Sequence, residues 1–395
     1  MKVLYLTYEN VFRTGILQAQ VISPLKKINK LYGVDYTVTS IVKAEDSLDN
    51  VYIENKSKTL NSSNAPKIVE FNKTLGKSQS LFAFIYDIYH IFIGIYKLAK
   101  CADIIHARGY GGAFLALLIK FSLRKKFIFD MRGVLPEETV YVGKIKVNSL
   151  KFKLMKWLER ILLKYSSYVF VVSEPFKKYI ENFKYNTPIY NISNPADFSL
   201  YQPEVKGWKK IRILYSGSLQ NWHCADDTYK YFKRIKSDFT DSVELIVCAN
   251  DLDGHKALLE KNGLQDNEFN IIKAPFNEMP AIISTCHIGF CLTKQTFLTS
   301  VCLPVKFGEY IAGNLSVISN ERIGDIPYIL NKHNAGLTLE SPLYNENEYK
   351  KIKTLITDML ERKEVNYNNT NVPELNWDST IGGLYNNYLR VLDEN

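Results

Sequence analysis

The residues best suited to chemistry in this sequence lie in one run, residues 303–319. Pro304 and Lys306 lead into a short predicted helix that carries Glu309 and ends at Gly313. Free N–H groups at a helix N-terminus and the helix dipole both favour anions, and a lysine strengthens that preference. A carboxylate in the same turns opposes an anion, so Glu309 needs another partner, such as sugar hydroxyls. A phosphate site beside a hydroxyl site predicts a nucleotide ligand.

Two series of alternating strands and helices position this run. Short branched apolar segments predict strands at 2–6, 36–41, 104–106, 127–130, 169–172 and 189–192, and then at 211–215, 243–248, 270–273, 288–292, 316–318 and 336–339. Helical segments near 16–30, 80–100, 112–122, 148–165 and 175–183 separate the strands of the first series. This alternation predicts an α/β fold with two parallel, doubly wound sheets.

The length of 395 residues suits two domains, each with its own core. An irregular stretch, 198–210, contains Pro203 and Gly207 and reads as a linker. We predict a first domain at 1–205, a second at 206–372 and a terminal segment at 373–395. Apolar residues at helical spacing predict an amphipathic helix over 377–392 in that segment.

Ligands of doubly wound sheets bind where the strands end, so the loops after strands are candidate sites. Gly15 opens the first helix and either lets a phosphate approach or simply forms a turn. In the second domain, Gly217 and Ser218 form a turn of small residues after its first strand.

Charged side chains follow two other strands of the first domain. His106 and Arg108 end one predicted strand, and Arg132 follows the next. Arginines at strand ends require an anion or a carboxylate partner. Glu137 and Glu138 come soon after and either pair with these arginines or contact a ligand. For His106, a role in the site and a place in the core both remain open.

Positive charge is concentrated in the first domain. Residues 1–205 contain 29 Lys and Arg against 17 Asp and Glu, whereas the rest contains 21 against 24. Seven cations and one anion, Glu159, lie in 144–164, where apolar residues recur at helical spacing. This basic segment is either a solvated surface helix or a face attracted to anionic lipid headgroups. No nucleic-acid motif accompanies the charge, so we predict no nucleic-acid partner.

The six cysteines form no CxxC pair, and no histidine stands at metal-ligand spacing, so we predict reduced thiols and no metal site. The apolar pattern of residues 1–7 predicts a buried strand rather than a signal peptide. The most apolar window, 81–96, is interrupted by Asp87 and His90 and is shorter than a membrane span. These features predict a cytoplasmic protein.

Seven short motifs in fixed order carry a family resemblance: Gly15, 103–108, 130–133, 171–174, 194–198, 215–218 and 304–313. As a set they resemble the retaining GT-B glycosyltransferases of the family-4 type, which use nucleotide sugars in bacterial surface-polysaccharide assembly. The resemblance implies two facing Rossmann-like domains, with the C-terminal helix crossing back onto the first. It also implies a donor bound mainly by the second domain and an acceptor bound by the first.

Site residues follow from the resemblance and from the loops above. The expected donor-binding residues are Gly15, Gly217, Ser218, Pro275, Phe276, Thr299, Ser300, Lys306 and Glu309. Among them, Lys306 resembles a diphosphate ligand and Glu309 a ribose ligand, whereas 270–278 resembles the segment that reads the base. The expected acceptor-binding residues are Arg108, Arg132, Glu137 and Glu138.

The chain departs from the family pattern at two places. The first glutamate of the family's pair is replaced by Val301, and Ser218 and His223 stand where an arginine and a lysine are usual. Stabilisation of the leaving group therefore rests on Lys306, with Arg132 or Arg108. We take Lys306, Arg132 and His106 as the catalytic candidates.

The resulting hypothesis is a glycosyltransferase that moves a sugar from a UDP-sugar, in preference to a GDP-sugar, to a lipid-linked or oligosaccharide acceptor. We expect retention by front-face attack, because no carboxylate is placed as a nucleophile. Metal independence is expected, since no Asp-x-Asp pair is suited to a divalent ion. In capsule-type polysaccharide synthesis the protein would lie on the inner face of the plasma membrane.

Other readings stay open at this stage. A GT-B epimerase, a non-catalytic membrane-associated GT-B-like protein and an inactive relative all fit the motifs. A Rossmann dehydrogenase fits poorly, because no G-x-G-x-x-G opens the first helix.

Overall fold

The computed structural model describes residues 1–13, 15–43, 50–73, 81–203, 208–219, 222–362 and 372–393. The chain forms two compact units. The first comprises Met1–Val172, Phe176–Ile192 and Thr380–Asn395, and the second comprises Ser173–Pro175 and Ser193–Ser379. The predicted border between residues 205 and 206, like Gly207, lies outside the described residues. The domain limits therefore stay a prediction.

The described part of the first unit contains a parallel sheet of seven strands: β1 (Lys2–Thr7), β2 (Asp35–Lys43), β3 (Lys67–Lys73), β4 (Ile104–Arg108), β5 (Phe127–Asp130), β6 (Tyr168–Val171) and β7 (Ile189–Asn191). Their order in the sheet is β3-β2-β1-β4-β5-β6-β7. The helices between them are α1 (Gly15–Leu17), α2 (Ser23–Tyr32), α3 (Asn50–Leu60), α4 (Leu81–Lys100), α5 (Gly109–Leu123), α6 (Leu135–Tyr141), α7 (Leu150–Tyr165) and α8 (Glu174–Glu181), with a π-helical segment at Gln18–Ile22.

The second unit contains a parallel sheet of six strands among its described residues: β8 (Ile211–Ser216), β9 (Val243–Cys248), β10 (Phe269–Ile272), β11 (Ile288–Cys291), β12 (Ser316–Asn320) and β13 (Gly336–Leu339). Their order is β10-β9-β8-β11-β12-β13. The helices are α9 (Ala225–Phe239), α10 (Leu252–Lys261), α11 (Met279–Ser284), α12 (Phe297–Ser300), α13 (Val305–Ala312), α14 (Ile326–His333) and α15 (Glu346–Arg362). The final helix, α16 (Trp377–Asp393), only begins in this unit. None of the described helices combines the length and the apolar character that crossing a bilayer requires.

Two doubly wound parallel sheets confirm the predicted α/β fold class. Every predicted strand is present, because central strands are buried on both faces and read as continuous apolar runs. The sequence prediction missed β3, which pairs only with β2 at the sheet edge. Its sequence, KIVEFNK, has polar or charged residues at 67, 70, 72 and 73, so it lacks the apolar run of a central strand.

Each sheet has one point where the strand order reverses. In the first sheet this point lies between β1 and β4, and in the second it lies between β8 and β11. The two connections that leave such a point diverge to opposite faces and open a crevice at the carboxyl edge of the strands. The loops after these four strands are therefore the places to look for ligands.

The final helix, α16, matches the prediction for 377–392. Its residues from Thr380 onward belong to the first unit. Tyr388 is fully buried there, with its hydroxyl 2.7 Å from Nδ1 of His106. The ring of Tyr385 stacks on Tyr32, with 4.2 Å between centroids. The return of the C-terminal helix to the first unit is confirmed.

A buried polar network ties three helices of the first unit together. Glu159 on α7 is fully buried and accepts a hydrogen bond from the hydroxyl of Tyr110 on α5, at 2.5 Å. Lys156 forms an ion pair with Glu159 and, at 2.9 Å, with Glu137 on α6. Burial raises the pKa of Glu159, although the hydrogen bonds from Lys156 and Tyr110 oppose that shift. The single anion of the basic segment is thus a structural residue.

We predict that Glu159→Ala lowers the free energy of unfolding by about 3 kcal/mol, because it removes one of the two carboxylate partners of Lys156 and leaves the buried hydroxyl of Tyr110 without its partner. Urea denaturation measures the change, with Glu181→Ala at an exposed position as the control. Equal losses in the two variants would contradict a structural role for Glu159.

Candidate functional site

The lysine and glutamate of the 303–319 run lie on α13, beside the switch point of the second sheet. Helix α13 connects the parallel neighbours β11 and β12, so it runs back along the sheet. Its N-terminus therefore lies at the carboxyl edge of the strands, where the crevice opens. The helix carries Lys306 in its first turn and Glu309 one turn later.

Packing fixes the position of α13. Phe307, Tyr310 and Ile311 are fully buried. At Gly308, a Cβ atom would stand 2.7 Å from the backbone oxygen of Asn194, so only glycine allows this close approach. The side-chain amide of Asn194 donates a hydrogen bond to the carbonyl oxygen of Leu303, at 2.5 Å. The 194–198 motif thus holds the loop that leads into the helix.

The ammonium group of Lys306 is buried, and only one of its N–H donors is used by a described residue. Its side chain is 9% exposed, and Nζ donates to the carbonyl oxygen of Ser216 at the end of β8, at 3.1 Å. Nζ also lies 5.1 Å from the ring centroid of Tyr215. An ammonium has three donors, and the other two have no hydrogen-bond partner among the described residues. Burial takes water away from the ammonium and thereby lowers the pKa of Lys306, so a bound anion at this position would stabilise the charged form.

Glu309 is partly buried, and its carboxylate accepts no hydrogen bond from any described residue. Burial raises its pKa to about 7, and the positive charge of Lys306 opposes the shift. Burial raises the pKa of the Tyr201 phenol, and the nearby charge of Glu309 raises it further. A carboxylate without partners at this edge is suited to accept hydrogen bonds from ligand hydroxyls.

The turn after β8 lies next to Lys306, as the sequence predicts. Gly217 has a φ of +154°, and a Cβ atom there would stand 3.6 Å from Nζ of Lys306. Its N–H donates to the carbonyl oxygen of Cys248 at 3.1 Å. The hydroxyl of Tyr215 donates to the carbonyl oxygen of Ser218 at 3.2 Å. Gly217 keeps the space beside the ammonium open.

The hydroxyls of Thr299 and Ser300 are engaged in local structure. Thr299 forms a capping box with Thr296 at the start of α12 and donates to the carbonyl oxygen of Lys294 at 2.6 Å. Ser300 donates to the carbonyl oxygen of Phe297 at 2.7 Å. Val301, which replaces the family's first glutamate, is 3% exposed. Donor binding by these hydroxyls stays a prediction.

Pro275 and Phe276 follow β10 and are half-buried. They form a turn in which Pro275 accepts a backbone hydrogen bond from Glu278, at 3.0 Å. Base recognition by this turn stays a prediction.

His223 lies close enough to Lys306 to sense its charge. Burial and then the Lys306 charge lower the pKa of His223 to about 3, so the ring is neutral at physiological pH. Its Nδ1 is buried without a hydrogen-bond partner in the described chain. The residue at the family's lysine position can therefore offer a neutral donor or acceptor but no positive charge.

In the first unit, Asp130 organises the predicted histidine and arginines. It ends β5, is 1% exposed, and its Oδ1 lies 2.8 Å from Nε of Arg132. Its Oδ2 lies 3.3 Å from Nε2 of His106 and 3.9 Å from Nη1 of Arg108. Burial alone would raise the pKa of Asp130, but Arg132, His106 and Arg108 hold it well below its usual range. The sequence showed Asp130 at a strand end, and two nearby arginines were the signal for its role.

His106 is 3% exposed and lies between Asp130 and Tyr388. Burial lowers the pKa of His106, and the neighbouring carboxylate of Asp130 opposes that shift. These contacts give His106 a structural role in joining β4, β5 and α16, and its catalytic role stays a prediction.

Arg108 connects the two loops at the switch point of the first sheet. Its Nε donates to Glu9 at 3.2 Å, and Nη2 donates to Gln20 at 2.5 Å. Its Nη1 is buried without a hydrogen-bond partner among the described residues. Gly15 begins α1 in the loop after β1, and its phosphate contact stays a prediction.

The sequence leaves open whether Glu137 and Glu138 pair with the arginines or contact a ligand, and the structure gives Glu137 a different partner. Arg132 forms its ion pair with Asp130, which is two residues away and already at the same strand end. Glu137 instead pairs with Lys156. Burial raises the pKa of Glu138, which accepts a hydrogen bond from the backbone N–H of Val134. Acceptor binding by the two glutamates stays a prediction.

Within the described ranges, no group of three or more His, Cys, Asp or Glu residues could hold a metal ion.

No protein-family model matches this chain, and no curated protein matches it in sequence. Solved structures match it at low identity over nearly their whole length. Anabaena HepE, in complex with UDP and glucose, has 12% identity and a TM-score of 0.70, with 99% of both chains covered. Sucrose-phosphate synthase from Thermosynechococcus elongatus has 11% identity and a TM-score of 0.71, with 100% of both chains covered. A UDP-N-acetylglucosamine 2-epimerase has 14% identity and a TM-score of 0.57, over 99% of this chain and 97% of that one.

These likenesses define the fold. The chain has the GT-B architecture, in which each of two units is a Rossmann-like sheet with helices on both faces. The resemblance drawn from the sequence is confirmed at this level.

The pKa of Glu309 predicts a pH-dependent stability. Between the ordinary value of 4.5 and about 7, the native state holds a proton that the unfolded chain releases. The free energy of unfolding therefore falls as pH rises through this range. We expect Glu309→Gln to remove about 2 kcal/mol of that fall, after allowance for partial exposure.

Urea unfolding at pH 5 and pH 8 measures the effect, as the stability difference between variant and wild type at each pH. Glu278→Gln, at an exposed position of the same unit, is the control. A difference that does not change with pH would show that the carboxylate of Glu309 is well solvated.

Proposed function

We propose that this protein is a glycosyltransferase that takes a sugar from a nucleotide-sugar donor. The observation that carries the proposal is the pair Lys306 and Glu309 on one face of α13, at the switch point of the second sheet. An ammonium with two unused donors suits a diphosphate, and a carboxylate without partners suits ribose hydroxyls. The GT-B fold supports this pairing, because the chain is similar to HepE, which was solved in complex with UDP-glucose, and to a UDP-N-acetylglucosamine 2-epimerase.

Within nucleotide sugars, we propose a UDP-sugar in preference to a GDP-sugar. HepE, which shares the fold, binds UDP and UDP-glucose. The turn at Pro275 and Phe276 follows β10, the edge strand that pairs with β9. Its half-buried proline and phenylalanine offer an apolar surface for a base.

The chemistry follows from where charge develops. The acceptor oxygen forms a bond to the anomeric carbon while the bond from that carbon to the diphosphate oxygen breaks. Negative charge then grows on the diphosphate. Lys306 stabilises this charge, because its hydrogen bond to the carbonyl oxygen of Ser216 already holds the ammonium in place. The acceptor proton passes to the departing phosphate oxygen, so attack and departure share one face and the anomeric configuration is retained.

The absence of a carboxylate at residue 301 supports this route. Val301 is buried and apolar, so no side chain at that position can act as a nucleophile. We propose that the reaction needs no divalent metal, since Lys306 supplies positive charge to the leaving group.

For the acceptor we propose a lipid-linked or oligosaccharide molecule in family-4-type synthesis of a bacterial surface polysaccharide such as a capsule, at the inner face of the plasma membrane. Arg108 and Arg132 support an acceptor with an anionic group, because Asp130 fixes both side chains at the carboxyl edge of the first sheet.

A nucleotide-sugar epimerase is the second candidate. A UDP-N-acetylglucosamine 2-epimerase shares the fold over 99% of this chain. An epimerase converts the donor sugar without any acceptor, whereas a transferase requires one.

We predict that UDP raises the melting temperature of the wild type by mass action, more than GDP or ADP does. Lys306→Met should weaken UDP binding by about 10- to 100-fold, since it removes charge-assisted hydrogen bonds to the diphosphate. Glu309→Ala should weaken it by about tenfold through the loss of ribose contacts. Titration calorimetry measures both constants.

The matched control is Lys350→Met, which removes an exposed lysine from α15 of the same unit. Unchanged UDP affinity in Lys306→Met, or a similar loss in Lys350→Met, would refute the proposed diphosphate site.

We predict that the product linkage has the anomeric configuration of the donor, as measured by proton NMR on products from a panel of lipid-linked and oligosaccharide acceptors. Excess EDTA should change the rate by less than about twofold, because no step uses a metal. Inversion would rule out front-face attack, and formation of an epimeric sugar without acceptor would favour the epimerase.

A further inference from the structure

Two helices of the first unit expose large apolar side chains in regular stripes. On α5 the stripe consists of Phe114, Leu118 and Phe121, with 42%, 39% and 63% of each residue exposed. On α7 it consists of Leu150, Leu154 and Trp157, with 84%, 59% and 58% exposed. In both helices the spacing is i, i+4 and i+7, which places each set on one face. We call these six residues the α5–α7 surface.

The two helices that carry the stripes contact each other. The ring of Phe121 meets that of Tyr165, at the end of α7, with 5.4 Å between centroids. Lys120 donates a hydrogen bond to the carbonyl oxygen of Tyr165 at 2.7 Å. Deeper in the unit, the Tyr110–Glu159 hydrogen bond joins the same two helices. The helices are thus fixed side by side.

Cations surround this apolar surface. Residues 109–126 contain four cations and no carboxylate, and 144–165 contain seven cations and one carboxylate. That carboxylate, Glu159, is fully buried. Lys151, Lys153, Arg160 and Lys164 are exposed, and none forms an ion pair with a described residue. The surface therefore presents exposed apolar groups within a rim of positive charge that is not neutralised locally.

We propose that the α5–α7 surface docks on an anionic lipid bilayer, with its apolar side chains inserted at the interface and its cations against the headgroups. Apolar side chains, a tryptophan and flanking lysines are the features that bind a helix in the plane of a bilayer. Exposed apolar area of this extent on one face marks an interaction surface. The anionic headgroups supply the charge that the lysines and arginine lack.

A second copy of the chain fits this surface poorly. A symmetric dimer would press two cationic rims against each other, and like charges at an interface oppose association. A bilayer meets both requirements at once, because its headgroups are anionic and its interior is apolar.

The inference deepens the membrane part of the proposed function and rests on it. Helix α5 begins directly after Arg108, and Lys156 of α7 pairs with Glu137 of α6. The surface is therefore rigidly joined to the residues proposed to contact the acceptor. An acceptor embedded in the bilayer would be presented to the same unit that binds the bilayer.

Flotation of the full-length protein with vesicles of phosphatidylcholine and phosphatidylglycerol, at 150 mM salt and without nucleotide, tests the proposal. We expect the wild type to bind, with a preference for vesicles that contain phosphatidylglycerol. The triple variant Leu150→Gln, Leu154→Gln, Trp157→Gln should lower the partition coefficient at least tenfold while all its cations remain. The variant Lys151→Gln, Lys153→Gln, Lys164→Gln should lose the preference for anionic lipid.

The matched control changes three apolar residues of similar exposure elsewhere: Leu31→Gln, Leu200→Gln and Leu343→Gln, with 54%, 50% and 60% exposed. Binding by this control at the wild-type level supports the assignment. Three results would overturn it: no vesicle binding by the wild type, an equal loss in the control, or a wild-type dimer that the α7 triple variant converts to a monomer.

The melting temperature of each variant, with and without UDP, separates this proposal from the proposed function. Because the substituted residues are exposed, we expect each variant to keep the wild-type melting temperature and the wild-type increase on adding UDP. Vesicle binding without any UDP shift would remove the glycosyltransferase proposal and keep the docking surface. A UDP shift without vesicle binding would do the reverse.

Discussion

The site of the second unit depends on one constraint, a buried ammonium held by a single backbone carbonyl. Lys306 would lose much of its hydration in this position, and the Ser216 oxygen replaces only part of it. The cost is tolerated because α13 is fixed by its apolar face and by the close approach at Gly308. A cation prepared in this way gains more from an incoming anion than a solvated lysine does.

In the first unit the buried charged group has the opposite sign. It is the carboxylate of Asp130, and two arginines and a histidine compensate its burial. These ion pairs fix the side chains at the end of β5 without any ligand. In the second unit, the ammonium of Lys306 has only the carbonyl oxygen of Ser216 as a hydrogen-bond partner among the described residues. The two units thus share an architecture but differ in how fully each compensates its buried charged group.

Much of the fold could be predicted because central strands of parallel sheets are apolar along their whole length. The edge strand β3 could not, since polar or charged residues at 67, 70, 72 and 73 interrupt its apolar residues. Lys306 and Glu309 could be found from their spacing, because helix ends and their charges follow local rules. The partners of Arg132 and Glu137 could not, because tertiary packing decided between nearby carboxylates. Likewise, helical spacing in α7 showed an apolar stripe but not that it faces outward.

The hydrogen bond between His106 and Tyr388 joins residues 282 positions apart in the sequence. The first unit thus contains both β1 and most of α16, with the second unit between them in the sequence. During synthesis, the whole second unit is made before α16 is available to cover His106. Contacts of such long range slow folding, and domains usually fold in order from the N-terminus. In this protein the unit made first is the unit that finishes last, so a chain interrupted anywhere in its second half leaves the first half incomplete.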